Sequence, residues 1–228
     1  MKHICKKIAL VTFALAGSVS AVTTTYTWTT GTTATSNGIA NSAGLAFQDS
    51  TNVSFAGPGS VSWGYFNITD AEITGATSAS TLVNAFQNWN NTIGKFAAPG
   101  PTGNRGTFNF NAAARDLGAG QSGEAFANKN MYVFVGNGTT FGASTEFLVL
   151  KTNFTFNPAE SGPTAFTKTL STSTVTDVLF GTTTTNVFTT NSDASQTPGW
   201  RTAAPVPEPS AALLGAIGAL GLLRRRRA

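Results

Sequence analysis

The clearest strand pattern in the chain is "KNMYVFVGNGTTFGASTEFLVLKTNFTFN", residues 129–157. Its first half is a near-continuous apolar run, Met131 to Val135, which leads into Gly136-Asn137-Gly138. Asn-Gly after such a run is a strong sign of a β-hairpin. The second half continues the strand pattern, with Phe147 and Val149 in alternation. The stretch therefore predicts two antiparallel strands within a β domain.

Alternating patterns recur on both sides of this hairpin. The segment "TTTYTWTTGTT" places Tyr26 and Trp28 at alternate positions, and "GSVSWGYFNIT" places Val61, Trp63 and Tyr65 on one face. The segments "TVTDVLF" and "TNVFTT" predict further strands. Threonine, a β-branched residue that favours strands, occupies 36 of the 185 positions from 22 to 206. We expect an all-β, mainly antiparallel fold of the sandwich or jelly-roll kind.

One stretch breaks the strand period. In "SASTLVNAFQNWNNTIGKF", residues 78–96, apolar side chains fall at i, i+4, i+7 and i+11, which form one helical face: Leu82, Phe86, Trp89 and Ile93. Ser78 or Ser80 is placed to cap this helix and Gly94 to end it. A second helical turn is expected near "NAAARDLGAG", residues 111–120. The prediction is one or two short helices in a β domain.

The charge of the chain is misleading when taken as a whole. The formal net charge is +4, but seven of the fourteen Lys and Arg residues lie outside positions 22–206. The interior holds seven basic and nine acidic residues, so its net charge is 7 − 9 = −2. Nucleic-acid binding needs basic side chains clustered on a folded surface, and no such cluster is visible. We therefore expect no nucleic-acid partner.

Histidine and cysteine each occur once, as His3 and Cys5 at the N-terminus. A domain that starts after them can form neither a disulfide nor a Cys/His zinc site. It also cannot assemble a Ser-His or Cys-His nucleophile pair. Any catalysis would then have to rest on carboxylates, Lys, Tyr or a hard metal held by oxygen ligands. We expect no catalytic residue, no metal and no cofactor, and a protein that is not an enzyme.

The N-terminus has the form of a secretory signal. Basic residues precede an apolar run that starts at Ile8, and small residues follow it up to Ala21. This order is typical of a signal peptide cut by signal peptidase, here after Ala21. A buried N-terminal helix is the alternative interpretation.

The C-terminus, "VPEPSAALLGAIGALGLLRRRRA", has three parts in order. The first part holds Pro207-Glu208-Pro209, and Pro205, Pro207 and Pro209 keep its backbone extended because each proline restricts the residue before it. Ser210 to Leu223 carries no charge, and as a helix it would span about 21 Å, which is short for a bilayer core of about 30 Å. The run is closed by the basic residues Arg224, Arg225, Arg226 and Arg227. By the positive-inside rule the arginines stay cytoplasmic and the domain lies outside. An amphipathic or tail-anchor helix is the alternative.

These three parts resemble the PEP-CTERM sorting signal of exported bacterial proteins. The resemblance covers about the last 23 residues and is paired with the N-terminal signal. It implies cleavage near Pro-Glu-Pro by an exosortase, a membrane-embedded thiol peptidase, after transient anchoring in the inner membrane. It also implies delivery to the cell envelope, the outer surface or the extracellular matrix, in an exopolysaccharide or biofilm context.

The chain is thus predicted to have four parts. Residues 1–21 are the signal peptide and residues 22–188 the β-rich extracytoplasmic domain. Residues 189–204 are a Ser/Thr/Pro linker and residues 205–228 the sorting segment. Trp200 lies within the predicted linker, and we favour its packing against the domain over a place at the membrane interface.

Two alternative functions depend on side chains of the domain. A carbohydrate-binding module for matrix polysaccharide would present exposed aromatic rings, for which the candidates are Trp28, Trp63, Trp89 and Trp200. A carboxylate-dependent glycan hydrolase would need two facing acids. Asp70 and Glu72 would share a face if they lie on a strand, and Asp116, Glu124 and Glu146 are further candidates. We favour a role in core packing for the tryptophans, and we expect the acidic side chains to be solvated at the surface. We expect a structural, non-enzymatic protein.

Overall fold

The structure is a computed structural model of the chain. It describes residues 23–30, 38–47, 57–90, 94–96, 106–111, 113–160, 165–185 and 199–205. The strands are β1 (Tyr26–Thr29), β2 (Ile39–Ala40), β3 (Ser60–Phe66), β4 (Phe86–Asn88), β5 (Gly94–Lys95), β6 (Asn109–Asn111), β7 (Asn130–Gly136), β8 (Phe147–Thr155), β9 (Phe166–Thr169), β10 (Val175–Phe180), β11 (Thr182–Thr184) and β12 (Gly199–Arg201). The helices are α1 (Asp70–Thr74) and α2 (Ala79–Ala85).

The main sheet is antiparallel throughout and has the strand order β10-β8-β7-β3-β4, with β5 also paired to β3. The predicted hairpin is its centre, β7 and β8. The connecting loop is longer than an Asn-Gly turn, since it runs over residues 137–146 and contains a 3-10 turn, Phe141–Ala143. The Asn137 side chain closes this loop by accepting hydrogen bonds from the backbone amides of Thr145 (2.8 Å) and Glu146 (3.1 Å).

Both faces of the main sheet are buried, which explains the near-continuous apolar run of β7. Val133 and Val135 belong to one core cluster, while Tyr132 and Phe134 belong to a second one. The second cluster includes Leu82 of α2 and Ile73 of α1, so the helices cover that face. A strand that is covered on two sides reads as continuous apolar sequence because it has no solvent-facing positions.

Two three-stranded sheets supply side chains to the first core cluster. Their strand orders are β6-β1-β9 and β11-β12-β2. Tyr26 and Trp28 come from the first of these sheets, and Ile39 and Trp200 come from the second. Each small sheet contains one parallel pair, β1 with β9 and β12 with β2. The all-β, mainly antiparallel prediction is confirmed, and the packing is sandwich-like with helices on the outer face of the main sheet.

The predicted long helix is half wrong. Ser78 does cap α2, because its hydroxyl accepts from the backbone amide of Thr81 at 3.3 Å. The helix ends at Ala85, however, and β4 begins at Phe86 and pairs with β3. Pairing with β3 is favoured over continuation of the helix in spite of the helical periodicity. In the paired strand the backbone N–H and C=O groups have hydrogen-bond partners, whereas an exposed helix end would leave its last C=O groups without them.

Two further local predictions are also wrong. Asp70 and Glu72 lie in the first turn of α1 and not on a strand. Within residues 113–120, no helix forms, and Arg115 makes an isolated antiparallel bridge to Thr24. A 3-10 turn follows later, at Glu124–Phe126.

The linker prediction is wrong where the structure describes that segment. Residues 199–201 form β12, the central strand of a sheet, and the Trp200 side chain is buried in the core as favoured. The β domain therefore extends past residue 188 to Ala203, which bridges Phe147. Residues 186–198, which include most of the predicted "TNVFTT" strand, lie outside the described residues.

Candidate functional site

The last described segment of the chain is held in the fold by a set of contacts that we call the C-terminal clamp, formed by residues 199–203 and Glu146. The Trp200 amide donates to the Gly38 carbonyl at 3.1 Å, and the Thr202 amide donates to the Ala40 carbonyl at 2.9 Å. Ala203 and Phe147 exchange two backbone hydrogen bonds of 2.8 Å. The clamp therefore joins the end of the domain to both β2 and β8.

The Glu146 carboxylate is the polar centre of the clamp. It accepts from the Ser42 amide at 2.9 Å, from the Ser42 hydroxyl at 2.6 Å and from the Thr202 hydroxyl at 2.6 Å. Burial by itself would raise the pKa of Glu146, but the hydrogen bonds from Ser42 and Thr202 outweigh it and lower the pKa. The carboxylate is ionised at neutral pH, and it links its own loop to the loop of Ser42 and to Thr202, which follows β12.

Gly181 makes the clamp possible where β10 leaves the main sheet. Its φ of +96° is a backbone conformation that L side chains rarely adopt. A Cβ at this position would lie 2.5 Å from the Arg201 carbonyl oxygen. Beyond Gly181 the chain pairs as β11 with β12, and Ala203 takes the place beside Phe147.

An uncharged cleft of about 440 Å³ lies beside the end of the last described segment, residues 199–205. It is lined by residues 74–77 at the end of α1, residues 178–181 of β10 and the turn after it, and Ala203 with Ala204. None of these lining residues carries a charge. A second cleft of about 440 Å³ is lined by residues 175–178 of β10, by Thr172 and Thr183, and by Trp200. The described chain ends at Pro205, next to the first cleft.

Asp70 and Glu72 do not form a pair of catalytic acids, because each is engaged elsewhere. Asp70 accepts from the Tyr132 hydroxyl at 2.8 Å and pairs with the Lys151 ammonium at 2.6 Å. Glu72 and Thr69 form a capping box at the start of α1, with the Thr69 amide donating to Glu72 at 2.7 Å. Both acids therefore stabilise α1 and its attachment to the sheet.

The pKa shifts at Asp70 agree with this structural role. Burial would raise the pKa of Asp70, but the hydrogen bonds from Lys151 and Tyr132 and the charge of Lys151 lower it. Burial, followed by the hydrogen bond to Asp70, raises the pKa of Tyr132 to about 12. At neutral pH the group holds an ionised carboxylate and a neutral phenol.

The remaining candidate acids are also bound to nearby groups. Asp116 accepts from the Gly118 amide at 2.8 Å, and Glu124 accepts from the Gly120 amide at 2.7 Å. Both belong to the loop before β7, whereas Glu146 belongs to the clamp. Within the part of the chain that the structure describes, no three acidic, His or Cys side chains group as a metal site.

A further ion pair, missed by the sequence analysis, lies between Glu160 and Lys168 of β9. The Lys168 ammonium is 2.5 Å from the Glu160 carboxylate, and their side chains are 11% and 22% exposed. The same ammonium lies 5.4 Å from the Tyr26 ring centroid and 5.3 Å from that of Phe154. No local pattern predicts this group, because its members come from three strands and one loop.

All four tryptophans are in the core. Their exposed fractions are 0% for Trp28, Trp63 and Trp89 and 1% for Trp200. Trp28 stacks on Trp63 with ring centroids 5.6 Å apart, and Trp89 stacks on Phe156 at 4.8 Å. The aromatic sugar-binding platform considered from the sequence is therefore wrong, and packing is the role of these rings.

The predicted sorting residues lie outside the described residues. These are Ala21 at the signal-peptide cleavage site, Pro207, Glu208 and Pro209 of the motif, and Arg224, Arg225, Arg226 and Arg227. The described helices are all too short and too polar to cross a bilayer.

Comparison with known protein families, with curated proteins and with solved structures finds no match for this chain.

Proposed function

We propose that this chain is an exported, non-enzymatic protein of the bacterial cell surface or extracellular matrix that is delivered by exosortase sorting. Signal peptidase would cut after Ala21, and the apolar run from Ser210 to Leu223 would hold the precursor in the inner membrane. The observation that carries the proposal is the order of Pro207-Glu208-Pro209, apolar run and arginine cluster, directly after a folded β domain.

The state of the acids supports a structural role over glycan hydrolysis. Glu72 caps a helix, Asp70 is paired with Lys151, and Glu146 is bound by Ser42 and Thr202. A general acid in a glycosidase has a raised pKa, whereas the pKa values of these three carboxyl groups are lowered.

The surface composition supports a place in a hydrated matrix. Threonine hydroxyls dominate the exposed positions from β9 to the residue after β11: Thr167, Thr169, Thr172, Thr176, Thr182, Thr183 and Thr185. Such a surface offers hydrogen bonds to polysaccharide or water, and three of these threonines, Thr172, Thr176 and Thr183, line the second cleft. Matrix polysaccharide is therefore the expected surrounding of the mature protein.

The test is replacement of Pro207-Glu208-Pro209 by three alanines in the native host. The variant should accumulate as an uncut precursor in the membrane fraction, while the unaltered chain is found shortened on the cell surface. Intact-mass measurement of the recovered protein reports both cleavage points. Recovery of the unaltered chain from the cytosol with its arginines intact would contradict the proposal.

A further inference from the structure

The distance from the folded domain to the sorting motif is very short. Ala203 is paired to Phe147, and only Ala204, Pro205 and Val206 separate it from Pro207. Four residue steps of fully extended chain reach about 14 Å. A domain of this size has a radius of gyration of about 16 Å. With the clamp closed, the motif therefore cannot move away from the domain surface by more than about the domain's own radius.

The backbone is also paired up to Ala203, which lies four positions before Pro207 in the chain. A peptidase that binds an extended substrate needs free backbone on both sides of the bond that it cuts. Here the backbone amides of Thr202 and Ala203 donate to Ala40 and Phe147, and the Thr202 hydroxyl is bound by Glu146. A membrane-embedded enzyme would need these groups released, or would need its active site within about 14 Å of the domain surface.

We propose that closure of the C-terminal clamp and cleavage at Pro207-Glu208-Pro209 exclude each other, so that the peptidase acts on a precursor in which residues 199–204 are undocked. This inference rests on the proposed function, because it assumes that the motif is cut. The folded domain with β12 in place is then the protected form, and docking of β12 sets the order of folding and maturation.

The architecture allows β12 to leave without loss of the main sheet. β12 is the central strand of the small sheet β11-β12-β2, and its strand partners are β11 and β2. The main sheet keeps all its strand pairs when β12 leaves, and loses only the bridge between Phe147 and Ala203. Undocking also exposes Trp200, so it is an infrequent local opening that is distinct from global unfolding.

The experiment follows cleavage of the full-length folded precursor in proteoliposomes that contain membranes of the native host. The first variant carries eight Gly/Ser residues between Ala204 and Pro205, which lengthens the tether and leaves the clamp intact. The second is Thr202→Val, which removes the hydroxyl that Glu146 binds. The matched control is Thr155→Val, at an exposed threonine of β8. Near-UV circular dichroism confirms that each variant is folded.

The spacer should raise the cleavage rate by about tenfold or more, since it removes the need to wait for a sparsely populated open state. Thr202→Val should raise the rate severalfold, and Thr155→Val should leave it unchanged. A spacer that also carries three alanines in place of the motif must stay uncut, which shows that cleavage is at the motif.

Cleavage of the unaltered folded precursor at the rate of the spacer variant would overturn the inference and leave the sorting proposal standing. Absence of motif cleavage in every variant, including the spacer, would instead overturn the sorting proposal and this inference with it.

Discussion

Replacing Trp200 with alanine tests whether the C-terminal segment belongs to the domain. The Trp200 side chain is 1% exposed and packs in the first core cluster. Burial of about 150–250 Å² at about 25 cal/mol/Å² corresponds to roughly 4–6 kcal/mol, and Trp-to-Ala changes in cores cost about 3–5 kcal/mol. We expect Trp200→Ala to lower the free energy of unfolding by about 4 kcal/mol.

The assay is urea and thermal unfolding of the full chain in mild detergent, followed by the fluorescence of the other tryptophans. For a domain of 150–250 residues, a loss of about 4 kcal/mol lowers the midpoint of thermal unfolding by roughly 8–16 °C. Thr155→Val, at an exposed position, should change the free energy of unfolding by no more than about 0.5 kcal/mol. If Trp200→Ala lowers the free energy of unfolding by less than about 1 kcal/mol, β12 is not docked in the domain and the segment is a linker.

Gly181, the Glu146 carboxylate and the ion pair of Glu160 with Lys168 each allow a further test. Gly181→Ala should lower the free energy of unfolding by about 2 kcal/mol or more, because φ is +96° and a Cβ would lie 2.5 Å from a carbonyl oxygen; Gly142→Ala, with open space around its Cβ, should be neutral or slightly stabilising in the same urea titration. The folded-state pKa of Glu146 is lowered from 4.5, so its contribution to the free energy of unfolding is present above pH 4.5 and is lost as the pH falls below that value. Glu146→Gln should therefore make the free energy of unfolding fall less steeply as the pH is lowered below 4.5. An equally steep fall in the variant would show that Glu146 is not responsible for it. Lys168→Met should cost about 2 kcal/mol by leaving the Glu160 carboxylate without its cation; adding Glu160→Gln should recover part of this loss in a double-mutant cycle, and strict additivity would show that the pair does not interact.

Local sequence patterns predicted much of the main sheet. Met131 to Val135 and the alternation after Phe147 identify β7 and β8. Side chains of a strand point to alternate faces, so the burial of each face can be read from the order of apolar residues in the sequence. The run around Trp63 identifies β3 in the same way. Ser78 identifies the start of α2, since capping is a contact between near neighbours in the chain.

Composition alone places the His and Cys residues, His3 and Cys5, at the N-terminus, and it places half of the Lys and Arg residues at the two ends of the chain. Long-range contacts, in contrast, set the end of the helix at Ala85 and place Gly199–Arg201 in a sheet. Trp200 lies in a polar stretch without the alternating pattern of a strand. Its segment forms a strand because Ile39 and Thr183, which are distant in the sequence, pair with its backbone. Pairing between distant segments leaves no local pattern, and for this reason the clamp that closes the domain could be found only in three dimensions.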